Sequence, residues 1–259
     1  MGEKSGENVL EVRNITKRFG AVQALAGVTF EVARGEVVAL VGDNGAGKST
    51  TIKMIAGVEQ PDEGEIVFEG ESVKLTSPSM AEKLGIQTVY QDLALCDNLD
   101  IVSNLYLGRE ITRTLIPGLI RVMNKNEMEQ RAIPVLKELG INLPPLTTQV
   151  ASLSGGQRQT VAVARSVLWG SKLVMLDEPT AALGVAQQKA VLDLILRLKT
   201  TGKAVLVISH NLSDVFKIAD RIIVLRLGRS VASFIRSEVT PEQVIAAITG
   251  ASEEAVVSQ

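Results

Sequence analysis

The run Gly42-Asp43-Asn44-Gly45-Ala46-Gly47-Lys48-Ser49-Thr50 sets glycines, a lysine and hydroxyls at the spacing G-x-x-x-x-G-K-[ST]. That spacing suits a phosphate chain. Glycines let successive backbone N–H groups close around phosphate oxygens, and the start of the following helix adds a positive partial charge. Lys48 is placed to reach the β- and γ-phosphates, and the Ser49 hydroxyl to ligate Mg²⁺. A random chain of this length matches the pattern about one time in a hundred, so a nucleotide site is expected.

Two further segments carry groups that such a site needs. Leu176-Asp177-Glu178-Pro179 puts adjacent carboxylates at the end of an apolar run. Asp177 suits a Mg²⁺ ligand acting through water, and Glu178 suits a general base that polarises water towards the γ-phosphate. Ser209-His210 ends another apolar run and holds the chain's one histidine. Taken singly, Asp-Glu-Pro is an ordinary strand-ending turn and a lone histidine is an ordinary core or loop residue. Together they place a phosphate loop, a carboxylate pair and an imidazole at the ends of three strands, where open α/β sheets bind ligands.

Those three strands are Val37–Val41, residues 173–176 and Ala204–Ile208, unbroken apolar runs that suit a parallel sheet covered by helices. Helical stripes follow, with Ile52, Ile55 and Ala56 stopped by Gly57, and Val191, Leu194, Ile195 and Leu198 stopped near Gly202. Strand then helix, repeated, predicts an α/β fold. Residues 9–12, 28–32 and 66–68 alternate apolar and polar types and predict a more exposed antiparallel sheet, and residues 221–231 predict a hairpin turning at Leu227-Gly228-Arg229. Between residues 92 and 168 the pattern turns helical. Met128, Ala132, Val135, Leu136 and Leu139 form a stripe that Pro134 is expected to kink or restart, while 114–119 and 143–145 read as loops. Residues after Gly250 read as a fraying tail.

Composition narrows the remaining classes. The chain has 259 residues, of which 46 % are hydrophobic and 22 % charged, so disorder of the whole is excluded. Its 27 Lys plus Arg against 29 Asp plus Glu give a net charge of −2, with no bias towards nucleic acid or anionic lipid. One cysteine, Cys96, makes no internal disulfide, and one histidine excludes His-rich metal sites. The opening MGEKSGEN lacks the apolar core of a signal peptide, and no apolar run approaches the ~18–20 residues of a membrane span. A cytoplasmic protein is expected.

Leu153-Ser154-Gly155-Gly156-Gln157 names a family. By itself the pentapeptide is an N-cap with a flexible approach. With the phosphate loop, Leu-Asp-Glu-Pro and the histidine, in this order, the chain resembles the ATP-binding cassette subunit of an ABC transporter over roughly residues 9–231. The resemblance implies a P-loop NTPase fold: a mostly parallel sheet flanked by helices, with an antiparallel β subdomain and an inserted helical subdomain. Residues 1–259 would be one ATP-binding domain. Residues 9–92 and 169–235 would form the β and nucleotide-binding core, 93–168 the helical subdomain with the pentapeptide, and 236–259 a C-terminal helix and tail.

The resemblance also implies roles. Phe19 stacks on adenine, Gln91 contacts Mg²⁺ and the attacking water, and Ser154, Gly155, Gly156 and Gln157 bind the γ-phosphate of ATP held by an opposing cassette. His210 resembles the residue that fixes the γ-phosphate and orients Glu178. ATP and Mg²⁺ are therefore expected ligands, and two cassettes would close head to tail. One position departs from the family: Ala181-Ala182-Leu183-Gly184 stands where Ser-Ala-Leu-Asp is usual, so Gly184 replaces the aspartate that links the two sites.

Asn104-Leu105-Tyr106-Leu107-Gly108-Arg109-Glu110 resembles the monosaccharide-import branch, in its single-cassette, fructose-import form. The implied assembly is a homodimer at the cytoplasmic face of the cell membrane, held by permease subunits and served by an extracytoplasmic sugar-binding protein, with no nucleic acid. A long C-terminal regulatory domain is not expected. The alternatives are a soluble ABC ATPase acting on ribosomes or DNA, and the ATPase of an exporter. Alanine at Leu93 or Leu95 is expected to uncouple transport from hydrolysis.

Overall fold

The computed structural model describes residues 7–116 and 120–251. In chain order its first half runs β1 (Asn8–Phe19), β2 (Val22–Ala33), β3 (Val37–Val41), α1 (Lys48–Ile55), β4 (Glu63–Phe68), β5 (Glu71–Val73), α2 (Pro78–Leu84), β6 (Ile86–Val89), α3 (Ile101–Leu105), β7 (Thr112–Ile116) and β8 (Ile120–Met123). It continues through α4 (Lys125–Glu138), α5 (Gly155–Leu168), β9 (Leu173–Asp177), α6 (Val185–Thr200), β10 (Ala204–Ile208), α7 (Leu212–Ile218), β11 (Arg221–Arg226), β12 (Arg229–Ile235) and α8 (Pro241–Thr249).

A six-stranded sheet of order β12-β11-β3-β10-β9-β6 holds the centre, and a four-stranded sheet of order β2-β1-β4-β5 packs beside it. The central strands are parallel from β11 to β6, and only β12 runs antiparallel. The three apolar runs are its middle strands, and their side chains feed cores on both faces. Val38 and Leu40 pack with Leu10, Ile15 and Leu25 of the four-stranded sheet. Val37 packs with Leu176, Val191 and Ile195 under α6, while Ala39 and Val41 meet Val215 and Val244 of α7 and α8. At ~1.5–3 kcal/mol per fully buried aliphatic side chain, these strands are the costliest positions to make polar.

Residues 101–169 hold a separate core, in which Ile101, Leu105, Met128, Leu136 and Val161 are buried together. Pro134 does not restart the helix, which runs on through it from Lys125 to Glu138. Pro134 and Gln130, whose carbonyl loses its i+4 partner, both lie on the exposed side, where water replaces the missing N–H. The loop expected at 114–119 is also corrected. Its first residues belong to β7, which pairs antiparallel with β8, Arg113 opposite Val122 and Thr114 opposite Arg121. β-Branched Thr112, Thr114 and Ile116 in one strand and Ile120 and Val122 in the other favour this pairing over a loop. Residues 117–119, like the tail at 252–259, lie outside the described residues. The hairpin at 221–231 is present and its second strand extends to Ile235.

Candidate active site

Sheet register decides which residues meet. Ile208 of β10 stands level with Leu40 of β3 on one side and Asp177 of β9 on the other, and Val89 of β6 stands level with Leu176. The next residues after each strand therefore emerge along one edge: Gly42 and its loop, Glu178, Ser209-His210, and Gln91. They open on a cleft of about 550 Å³ lined by Asn44, Gly45, Gly47, Lys48, Ser49, Thr50, Gln91, Asp177, Glu178 and His210, with Val22, Gln23 and Ala24 of β2 at its rim.

The phosphate loop is shaped from outside as well as by its own sequence. Gly42 has φ 151°, and a Cβ there would lie 2.2 Å from the Leu225 carbonyl oxygen. Gly47, φ 104°, precedes the first turn of α1 and presses on the Leu25 side chain, 2.7 Å from where a Cβ would stand. The β11–β12 turn braces the same loop. Gly228 N–H donates to the Ala46 carbonyl at 3.1 Å, and the Gly228 carbonyl accepts from Ala26 N–H at 2.7 Å. Sequence reading gave Gly228 only a turn role.

Lys48 bends over this loop, its Nζ donating to the carbonyls of Gly42 at 2.7 Å and Asp43 at 2.9 Å. It is 9 % exposed. Burial lowers its pKa, against the opposing pull of Glu178, Asp43 and Asp177. The same burial, helped by neighbouring Glu178, raises the Asp177 pKa, and Lys48 offsets part of the rise. Gly42, Asp43 and Ala46 support the loop from outside the cleft lining.

Glu178 occupies the left-handed region, φ 50°, an uncommon place for a residue with a side chain. Its N–H is tied to the Ile208 carbonyl at 2.9 Å. His210 Nδ1 lies 2.8 Å from Glu178 Oε1, with the glutamate side chain 16 % and the imidazole 72 % exposed. The arrangement suits a base that lines the cleft and is held in place by the imidazole.

Gln91 enters from β6, and the chain beyond it is pinned by a half-buried arginine and a buried asparagine. Arg165 of α5 donates to the carbonyls of Leu93 at 3.0 Å and Ala94 at 3.1 Å. Asn104, fully buried, accepts from Cys96 N–H at 2.7 Å and donates to the Cys96 and Asp100 carbonyls at 3.0 Å. Arg165 was not singled out from the sequence, and Asn104 was noted only for its family likeness, because an Arg and an Asn inside helical stretches carry no local signal of such a bond.

Two groups of expected site residues lie elsewhere. Phe19 ends β1, 44 % exposed, with Lys17 Nζ 5.6 Å from its ring centroid, and is not a core residue. It lies outside the cleft lining, but its cross-strand partner Val22 is part of it. Ser154 caps α5 in a reciprocal box with Gln157: Gln157 N–H donates to Ser154 Oγ at 3.3 Å and Ser154 N–H to Gln157 Oε1 at 2.9 Å. Ser154 to Gln157 do not line the cleft of their own chain. Leu93 and Leu95 are partly buried against core clusters, which leaves Tyr90 and Leu107, 37 % and 41 % exposed, as the large surface side chains of that region. Among the described residues no helix is long and apolar enough to cross a membrane.

Comparison with known proteins agrees with this geometry. The chain is 46 % identical to the xylose/arabinose import ATP-binding protein of Sulfolobus acidocaldarius, over 93 % of this chain and 94 % of that one. It is also 46 % identical to the fructose import ATP-binding protein of Rhizobium meliloti, over 95 % and 96 %. A ribose import ATP-binding protein of Rhizobium meliloti is 40 % identical over 95 % of this chain but 47 % of its own length. Among solved structures, an ATP-binding cassette of an ABC transporter in its ADP conformation superposes with TM-score 0.79 at 26 % identity, covering 97 % of this chain and 99 % of that one. The dimeric structure of a bacterial ABC transporter cassette gives TM-score 0.72 at 26 % identity, over 88 % and 98 %. The profile of the ABC transporter family matches residues 25–181, and this chain, with its phosphate loop, carboxylate pair and histidine on one sheet edge, belongs to that family.

Proposed function

We propose that this ABC ATPase energises import of a monosaccharide, working as a homodimer docked on permease subunits at the cytoplasmic face of the membrane and fed by an extracytoplasmic sugar-binding protein. One observation carries the catalytic part: Lys48, Asp177, Glu178, His210 and Gln91 line a single cleft. The cargo follows from likeness to import proteins for xylose/arabinose, fructose and ribose. No feature of the site favours an exporter or a nucleic-acid or ribosome partner, and the net charge of −2 offers no polyanion surface.

The chemistry is hydrolysis of ATP to ADP and phosphate. The N–H groups of the Gly42 to Thr50 loop and the Lys48 ammonium hold the phosphates, and adenine stacks on Phe19 above the β2 rim. Ser49, Asp177 and Gln91 supply only oxygen donors to the cleft, the set a hard cation prefers, and would hold Mg²⁺ together with the nucleotide. Mg²⁺, when bound, supplies charge neutralisation at the β- and γ-phosphates. Glu178 takes a proton from water as it attacks the γ-phosphorus. His210 keeps that carboxylate in place. Ser154, Gly155, Gly156 and Gln157, which lie outside their own cleft, would close over the γ-phosphate in the partner subunit. Two bound ATP molecules thus join the subunits, and loss of phosphate releases them.

Uptake of radiolabelled pentoses and hexoses by cells of the source, with the chain intact or carrying Lys48→Ala, tests the reading. Loss of uptake of one or more sugars is the expected result. Normal uptake of all of them, or loss of solute expulsion in its place, would overturn it.

A further inference from the structure

The loop from the general base runs Glu178-Pro179-Thr180-Ala181-Ala182-Leu183-Gly184 into α6. It contains two residues with side chains in the left-handed region, Glu178 at φ 50° and Ala182 at φ 58°, so its path is held by its surroundings. Gly184 is the N-cap of α6 and has no side chain to cap with. Gln187 folds back instead, its Oε1 accepting from Gly184 N–H in a long bond of 3.4 Å. The same side chain is pressed against the Ser154-Gly155-Gly156-Gln157 turn. A Cβ on Gly156 would stand 2.8 Å from Gln187 Cβ and 2.9 Å from its Cγ, and one on Gly155 would stand 3.2 Å from Leu183 Cδ2. The two glycines therefore serve close approach of α5 to α6 as well as approach to phosphate.

We propose that Gln187 is a positioning residue. It ties the turn that receives the partner's ATP to the loop that carries Glu178 in the same chain, so that each site senses occupancy of the other through this side chain. The proposal rests on the reading that Ser154 to Gln157 engage ATP in the partner subunit. The physical basis has two halves: Gln187 Cβ and Cγ pack on Gly156, and Gln187 Oε1 accepts from Gly184 N–H. Gln187 fills the gap over Gly156 with no free volume, so a shift of the turn is passed to Gly184, and packed contacts transmit such shifts in discrete steps.

The test uses the full-length chain, measuring ATPase rate against ATP concentration, with nucleotide affinity read in the same variants at a concentration where the chain is monomeric. Gln187→Ala is expected to lower kcat by about tenfold, since small misplacements of a base are costly. Its Hill coefficient should fall to about 1, with monomer ATP affinity unchanged. Gln187→Glu keeps the acceptor and the Cβ–Cγ packing and should restore both. Gln187→Leu keeps the packing without the acceptor and should remain impaired. Unchanged kcat and Hill coefficient in Gln187→Ala, or equal behaviour of the Glu and Leu variants, overturns the proposal. The Glu and Leu pair decides alone if the alanine variant does not fold. Gly156→Asp separates the underlying reading: if that variant hydrolyses normally, the turn does not engage ATP at all. If it is inactive while Gln187→Ala is normal, only the coupling role fails.

Discussion

His210 Nδ1 sits at hydrogen-bonding distance, 2.8 Å, from Glu178 Oε1, although the two residues leave different strands and the imidazole is mostly in solvent. The contact follows from register. Asp177 and Ile208 are neighbours across β9 and β10, so the residues that follow them meet beyond the sheet edge. Glu178 takes a left-handed backbone at that edge, and His210 holds its Oε1.

His210→Ala should leave nucleotide binding unchanged and slow hydrolysis by about 10–100-fold, because Glu178 loses the group that orients it. Phosphate release at saturating ATP, beside equilibrium nucleotide binding, checks this. A matching loss of affinity would mean that His210 holds nucleotide, not base.

Lys48→Ala should weaken ATP binding by about 10–100-fold, the value of one or two charge-assisted hydrogen bonds lost from a desolvated site. Titration calorimetry reads it directly. Without nucleotide the variant should also melt at a lower temperature than the native chain, since the Gly42 and Asp43 carbonyls lose the Nζ donor they share.

The raised pKa of Asp177 predicts a pH effect with a definite sign. A carboxyl that holds its proton more tightly in the folded chain contributes stability that is full below the ordinary carboxylate value and is lost as pH rises through the folded value. Nucleotide-free protein in a chelator should therefore lose stability across that acid window, and Asp177→Asn should abolish this loss and unfold at higher temperature at neutral pH. Thermal melts at stepped pH decide the matter. An Asp177→Asn chain less stable than the native one would contradict it.

Gly228→Ala reaches the phosphate loop from the far side. At φ 75°, with a Cβ 2.8 Å from the Ala24 carbonyl, the substitution is expected to cost ~1–3 kcal/mol and to disturb the Ala46 contact. ATP affinity should fall together with melting temperature, and the ³¹P shifts of bound ATP should move. Unmoved shifts would show that the brace does not set loop geometry.

Much of this was legible in the sequence. The runs 37–41, 173–176 and 204–208 are apolar without interruption, which suits strands covered on both faces, and the chemical residues stand at their ends. What the sequence left out depends on packing between distant segments. Gln187 is a polar residue on a helix until α5 is seen against it, and Gly228 reads as a hairpin glycine until Ala46 is seen beneath it. The β7–β8 pair reads partly as a loop because strands of five and four residues are too short to show a clear alternation. Leu93 and Leu95, expected from position to affect docking, are partly buried against core clusters, while Tyr90 and Leu107 are more exposed. Tyr90→Ala or Leu107→Ala is therefore the better probe of permease docking, expected to lower transport more than hydrolysis in the reconstituted complex.

The most direct test of the account is Glu178→Gln. Phosphate release and sedimentation would be measured on the same sample with ATP and Mg²⁺. The account predicts that hydrolysis falls by at least about 100-fold, as for loss of a general base, while ATP still binds and the chain sediments as a dimer that the native protein forms only transiently. Turnover at the native rate, or an ATP-bound chain that stays monomeric, would contradict the assignment of Glu178 as base and the closing of two copies around ATP.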